Sequence, residues 1–133
     1  MKTYDGGCHC GAVRFRVTLD IAAGTEKCNC TICLKMRLWS FKVAPGAFQL
    51  VQGAEALRDY TYDSHVAHHY FCQTCGIHAF DRVDLPPPRH PYYNVAVVCI
   101  EGLDIHALMA APITCQDGLH DAWDRPPTET RLM

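Results

Sequence analysis

Cys28-Asn29-Cys30-Thr31-Ile32-Cys33 places three thiols within six residues, too crowded a set for packing or local disulfides to explain. A Cys-x-Cys pair points two sulfurs to one side of an extended segment or turn, and the following x-x-Cys folds a third back towards them. The result is three corners of a metal tetrahedron. Four protein ligands close a zinc site, whereas three leave a position for water or substrate. Two readings stand at this point: a distant cysteine or histidine completes the tetrahedron, or the site is open and reactive.

Two further clusters flank the first. Cys8-His9-Cys10 sits between Gly7 and Gly11, and Phe71-Cys72-Gln73-Thr74-Cys75-Gly76 has the form of a zinc knuckle: strand, Cys-x-x-Cys, then a glycine for a left-handed turn. Cys8, Cys10, Cys72 and Cys75 together make a closed four-cysteine site that ties the N-terminal turn to the knuckle, and Cys28, Cys30 and Cys33 remain as an open one. In the other division the triple borrows a cysteine from a pair and leaves an incomplete site elsewhere. Cys99 and Cys115 stand alone and read as small hydrophobes or incidental thiols. Of the consecutive His68 and His69 only one can face inward from a strand, and either is a candidate for a contact behind the ligands. Lys35 and Arg37 follow the triple and either attract an anionic substrate or are simply solvated. Trp39 reads as core or pocket wall.

Composition narrows the setting. The chain has 133 residues, which fits one zinc-binding domain over 1–133 with a real hydrophobic core. Met1 to Gly7 contains no apolar stretch resembling a signal peptide, and no run approaches the ~20 apolar residues of a membrane helix, so a soluble, cytoplasmic protein with no membrane partner is expected. Nine cysteines without an export signal point to reduced thiols used for metal. The formal net charge is −2 with every thiol neutral, and thiolates at metal sites make it more negative. Such a balance, with no basic run, disfavours direct nucleic-acid binding.

The patterning predicts a mainly β fold with few or no long helices. Ala12 to Leu19 alternates apolar and polar residues, which puts Val13, Phe15, Val17 and Leu19 on the core side of a strand. Asp20 to Lys27 reads as a connection and Leu34 to Trp39 as a short helical turn. From Phe41 onward the pattern is of short strands separated by turn residues. Ala54 to Arg58 reads as turn and strand, and the strands of the knuckle come before Cys72 and over Ile77 to Val83. Prolines keep residues 84–91 out of a sheet ladder. Tyr92 to Ile100, the most apolar run, is predicted as a central strand, and the tail from about residue 124 as mobile.

The stretches Gly7 to Phe15, Cys28 to Cys33, Phe71 to Gly76, and Asn94 through Gly102-Leu103-Asp104 together resemble the glutathione-dependent formaldehyde-activating enzyme family, also called the centromere protein V type. The resemblance covers nearly the whole chain. It implies a β-tent of short antiparallel sheets clamped by zinc, with two ions per chain: a structural one on Cys8, Cys10, Cys72 and Cys75, and a catalytic one on Cys28, Cys30 and Cys33. It also implies carbon–sulfur lyase activity on a glutathione or other small-thiol adduct of an aldehyde, such as S-(hydroxymethyl)glutathione. The chain is compact beside the family's formaldehyde-activating members and has Asn29 where histidine is common. Zinc ligands specify the metal and not the pocket. Two alternatives to the lyase therefore stand: a non-catalytic zinc- or thiol-binding module, and a protein or chromatin interaction domain.

Overall fold

The alternation at Val13, Phe15, Val17 and Leu19 produces the strand around which the smaller of two sheets is built. In the computed structural model, which describes residues 1–133, all four side chains are buried, and β2 runs Arg14–Leu19. It lies between β1, Lys2–Gly7, and β5, Phe48–Gln52, and is antiparallel to both. The larger sheet contains β3 (Thr25–Cys28), β4 (Trp39–Val43), β6 (Leu57–Tyr60), β7 (Ala67–Cys72), β8 (His78–Val83), β9 (Tyr92–Ala96) and β10 (Ile113–Gln116). Their spatial order is β10-β3-β4-β9-β8-β7-β6. Every pairing in it is antiparallel except that of β10, which runs parallel to β3 with Gln116 opposite Cys28. The two α-helices, α1 (Thr31–Met36) and α2 (Ile105–Ala110), have six residues each, so the fold is mainly β as the patterning predicts.

The period-2 geometry of strands divides the larger sheet into two chemically different faces. Phe41, Val95 and Phe80 are cross-strand partners on one face, and all three are buried. This face meets the smaller sheet through an aromatic cluster: Phe15 stacks on Phe48 at 5.5 Å between centroids, and Phe48 lies 4.3 Å from Tyr93 and 4.6 Å from Phe80. One residue further along each strand, the side chains turn to the other face. There Tyr60, His69, Asp81, Asn94 and Lys42 form a row across five strands. The apolar face holds the two sheets together; the polar one carries the His69–Asp81 pair.

Several segments fold otherwise than the patterning predicts. Thr25 to Cys28 is a strand, preceded by a short 3-10 turn over Ile21–Ala23, although Asp20 to Lys27 reads as a connection. Its burial is polar in origin, since the Trp39 indole N–H donates to the Thr25 hydroxyl at 2.6 Å. The apolar run from Tyr92 leaves the sheet at Ala96 and continues as a 3-10 turn over Val97–Cys99, which exposes Val98. Ile100 instead bridges to Gly6 and stays buried. Helix α1 begins three residues before the predicted helical turn, and α2 starts where the Asp104 carboxylate accepts from the amides of His106 and Ala107.

Candidate metal centres

The turn after β1 carries Cys8 and Cys10, Cys72 ends β7, and Cys75 lies in the turn that follows. Their sulfurs converge, all within 4.8 Å of one another, although 62 residues separate Cys10 from Cys72. Cys8 Sγ lies 3.6 Å from Cys10 Sγ, which is 3.7 Å from Cys72 Sγ. A tetrahedral zinc with bonds of about 2.3 Å needs sulfurs roughly 3.8 Å apart, so the spacing fits the donor set of such an ion. Local backbone geometry sets it up. The Gly76 amide donates to the Cys72 carbonyl at 2.7 Å, and Gly76 makes this turn with φ of +73°, a region open to glycine at little cost. Backbone amides also favour thiolates here: those around Cys10 and Ile77 draw the Cys75 thiol down to about 6, and those of Cys75 and Thr74 lower Cys72.

The second cluster forms where β3 hands over to α1. Cys28 ends the strand, Cys30 is the N-cap of the helix and Cys33 lies in its first turn. These three sulfurs also lie within 4.8 Å of one another, and all three residues are half-buried. Hydrogen bonds with Cys28 and then Cys33, helped by the amides of Cys33 and Ile32, pull the Cys30 thiol down to about 3, while those with Cys28 and then Cys30 push Cys33 up. The group thus holds a thiolate readily, centred on Cys30. No fourth cysteine joins it. Cys99 is held near the His78 carbonyl, its thiol pushed up to about 11 by burial, and Cys115 lies in β10. Beside the cluster, Glu26, Cys28, Cys33, Ser40, Asn94 and Gln116 line a narrow cleft with room for about 20 Å³, one water-sized group. Asn94 Oδ1 is buried with no hydrogen-bond partner.

The segment following α2 covers one side of this site. The buried Asn29 amide donates to Asp117 Oδ1 at 2.8 Å, and its carbonyl oxygen accepts from the Leu119 amide at 2.9 Å. Gly118 lies so close that a Cβ there would sit 2.6 Å from Cys28 Sγ and 2.7 Å from the Trp123 ring. Lys27 and Arg37 reach the carbonyls of Met133 and Leu132. Arg37 is thus engaged with the tail, Lys35 is exposed, and Trp39 is a half-buried wall against the core. Asn29→Ala removes both bonds of the clamp and is expected to cost about 2 kcal/mol, two ordinary buried hydrogen bonds. Alkylation of the metal-free protein by a thiol reagent should then modify Cys28 several-fold faster.

A third group lies on the polar sheet face. His69 is buried on this polar face, whereas His68 lies on the opposite face beside Tyr70, its Nδ1 2.6 Å from Asp59 Oδ2. His69 Nδ1 is 2.8 Å from Asp81 Oδ1, and His78 Nε2 is 2.5 Å from the same oxygen. Burial pushes the Asp81 carboxyl up, but the bonds from His69 and His78 outweigh it and hold it below the ordinary range. His78 and Asp81 were not singled out by sequence reasoning. The signal was present, because a buried carboxylate partner for His69 has to stand opposite it on the strand leaving the knuckle.

The profile of the glutathione-dependent formaldehyde-activating enzyme family matches residues 3–112. The chain belongs to this family. A Rhodobacter sphaeroides protein of known crystal structure is 32% identical to it, with a TM-score of 0.69 over 83% of this chain and 99% of the other. In this member of the formaldehyde-activating enzyme family all seven clustered cysteines fall inside the matched residues. The segment from 113 onward, with the Asp117 and Gly118 contacts to the three-thiol site, falls outside them. No helix is long and apolar enough to cross a membrane.

Proposed function

We propose that this chain holds two zinc ions, one structural at Cys8, Cys10, Cys72 and Cys75 and one reactive at Cys28, Cys30 and Cys33. At the second site it makes or cleaves the carbon–sulfur bond of a small-thiol adduct of an aldehyde, with glutathione and formaldehyde as first candidates. The observation that carries this reading is the convergence of three thiols, and no fourth, beside a cleft. A zinc ion there supplies one free coordination position suited to the sulfur of an incoming thiol. Three thiolates leave the site with a net negative charge, so sulfur exchange suits it better than making hydroxide. The cleft has room for a one-carbon group, and Ser40 and Asn94 offer polar contacts to it. A single domain working in a reducing, cytoplasmic setting agrees with nine free cysteines.

Cobalt substitution tests the reading, because the Co(II) spectrum responds to sulfur ligation. Glutathione is expected to change the spectrum of the cobalt-loaded protein, more tightly as pH rises towards the thiol's own pKa of about 8.5. Cys30→Ser is expected to weaken that response at least tenfold. A spectrum indifferent to saturating glutathione replaces the enzyme with an interaction module. Binding without any acceleration of adduct formation leaves a non-catalytic thiol-binding module.

A further inference from the structure

His69 carries the one buried imidazole nitrogen in the molecule without a partner. Its side chain is 8% exposed, Nδ1 is engaged by Asp81, and Nε2 bonds to nothing. Leaving such an atom unpaired costs about 1–3 kcal/mol, which a purely structural histidine has no reason to incur. Asp81 is 3% exposed and the same oxygen takes a second bond from His78, so the carboxylate that holds the ring is itself fixed in place. With Nδ1–H donating to Asp81, the free Nε2 presents its lone pair.

Position connects this atom to the three-thiol site. His69, Asp81 and Asn94 stand opposite one another on three adjacent strands, and Asn94 lines the same cleft as Cys28 and Cys33. Neighbouring strands lie about 4.8 Å apart, so His69 is two strand spacings from that cleft. The ring also stacks on Tyr62, 5.9 Å between centroids, and burial and then the charges of Cys30 and Cys33 raise the Tyr62 phenol. The thiols and the imidazole thus share one side of the sheet.

We propose that His69 exchanges the proton of the three-thiol site: its Nε2 takes the hydroxyl proton of an S-hydroxymethyl thiol adduct as the carbon–sulfur bond opens. The inference rests on the thiol-adduct reading given above. In cleavage the O–H pair becomes the second carbon–oxygen bond of the aldehyde. The carbon–sulfur pair leaves with sulfur as thiolate, and the proton stays on Nε2. In the forward direction the thiolate attacks the carbonyl carbon and His69 returns the proton to the new alkoxide. No oxidant or further reactant is needed. Asp81 does not touch the adduct; it is a positioning residue that holds Nδ1 and so keeps Nε2 free.

His69→Asn separates this role from a structural one, since the amide nitrogen replaces Nδ1 in the bond to Asp81 and nothing replaces Nε2. Exchange between [13C]formaldehyde, glutathione and their adduct, measured by NMR with the zinc protein, is expected to slow about 100-fold or more. The cobalt-loaded variant is expected to keep the wild-type spectrum with and without glutathione. Unchanged exchange overturns the assignment, and so does a Co(II) spectrum altered before thiol is added, which makes His69 a metal ligand. Wild-type protein that binds thiol without accelerating exchange overturns it together with the lyase reading. Should the variant fail to fold, the 15N resonance of His69 Nε2 in the wild-type zinc protein is expected to move with adduct beyond any change glutathione alone produces. A resonance that does not move overturns the proposal as well.

Discussion

Cys72→Ser is expected to lower the melting temperature by roughly 15 °C or more, while Cys30→Ser shifts it by only a few degrees. Cys72 has no solvent exposure and joins the knuckle to the turn after β1, so its sulfur closes a loop spanning nearly half the chain. Structural zinc in small peptides contributes about 10–16 kcal/mol of apparent binding free energy, and a site deprived of one thiolate loses a sizeable part of it. Even 4 kcal/mol is a large share of the roughly 5–15 kcal/mol that stabilises a domain. Cys30 is different. It caps a six-residue helix in a half-buried loop, and its loss breaks no link between distant segments. Differential scanning calorimetry of the two zinc-loaded variants decides the matter, and equal losses would refute the division into a closed clamp and an open site.

Asp81→Asn is expected to cost roughly 3 kcal/mol at neutral pH, because removing one partner of a buried charged network leaves the other groups uncompensated. The dependence on pH follows from the direction of each shift. The Asp81 carboxyl is held below its ordinary value, so its contribution is present above about pH 4 and lost as pH falls through its folded value. For His69, burial pushes the imidazole down but the bond and charge of Asp81 and the charge of Cys30 raise it overall. Its share is therefore complete below about pH 6.5 and lost as pH rises through the raised value. Wild type and variant, compared by urea unfolding, should differ most at mildly acidic pH and converge near pH 3. A difference that does not vary with pH would show that shape rather than charge holds the group together.

Most of the sheet framework was legible in the sequence where hydrophobic alternation is strong, as at Val13, Phe15, Val17 and Leu19. The convergence of the clustered cysteines was legible for a different reason: metal donor spacing is a local signal that survives without knowledge of the topology. The misses share a cause. β3 and β10 are short and hold few apolar residues, and they are strands because of their neighbours, with Trp39 bonded to Thr25 and Gln116 paired with Cys28. The Asp81 group escaped notice because its two histidines and carboxylate meet only through register between strands. Asn29 reads as a departure from the family's pattern, and only the fold reveals that its amide holds the segment after α2.

The parallel pairing of β10 with β3 bears on how the protein is made. All four sulfurs of the first cluster have left the ribosome soon after Cys75 emerges, whereas Gln116, Asp117 and Leu119 arrive about 40 residues later, a delay of several seconds at roughly 5–20 residues per second. During that interval the edge of β3 and the loop from Cys28 to Cys33 lack the segment that shields them. On the two-zinc proposal, the nascent chain can therefore be clamped by its first ion while its second set of thiols is still open to oxidants and to competing metals. Metal supplied during synthesis should then set the fidelity of the three-thiol site as well as the folding of the clamped part.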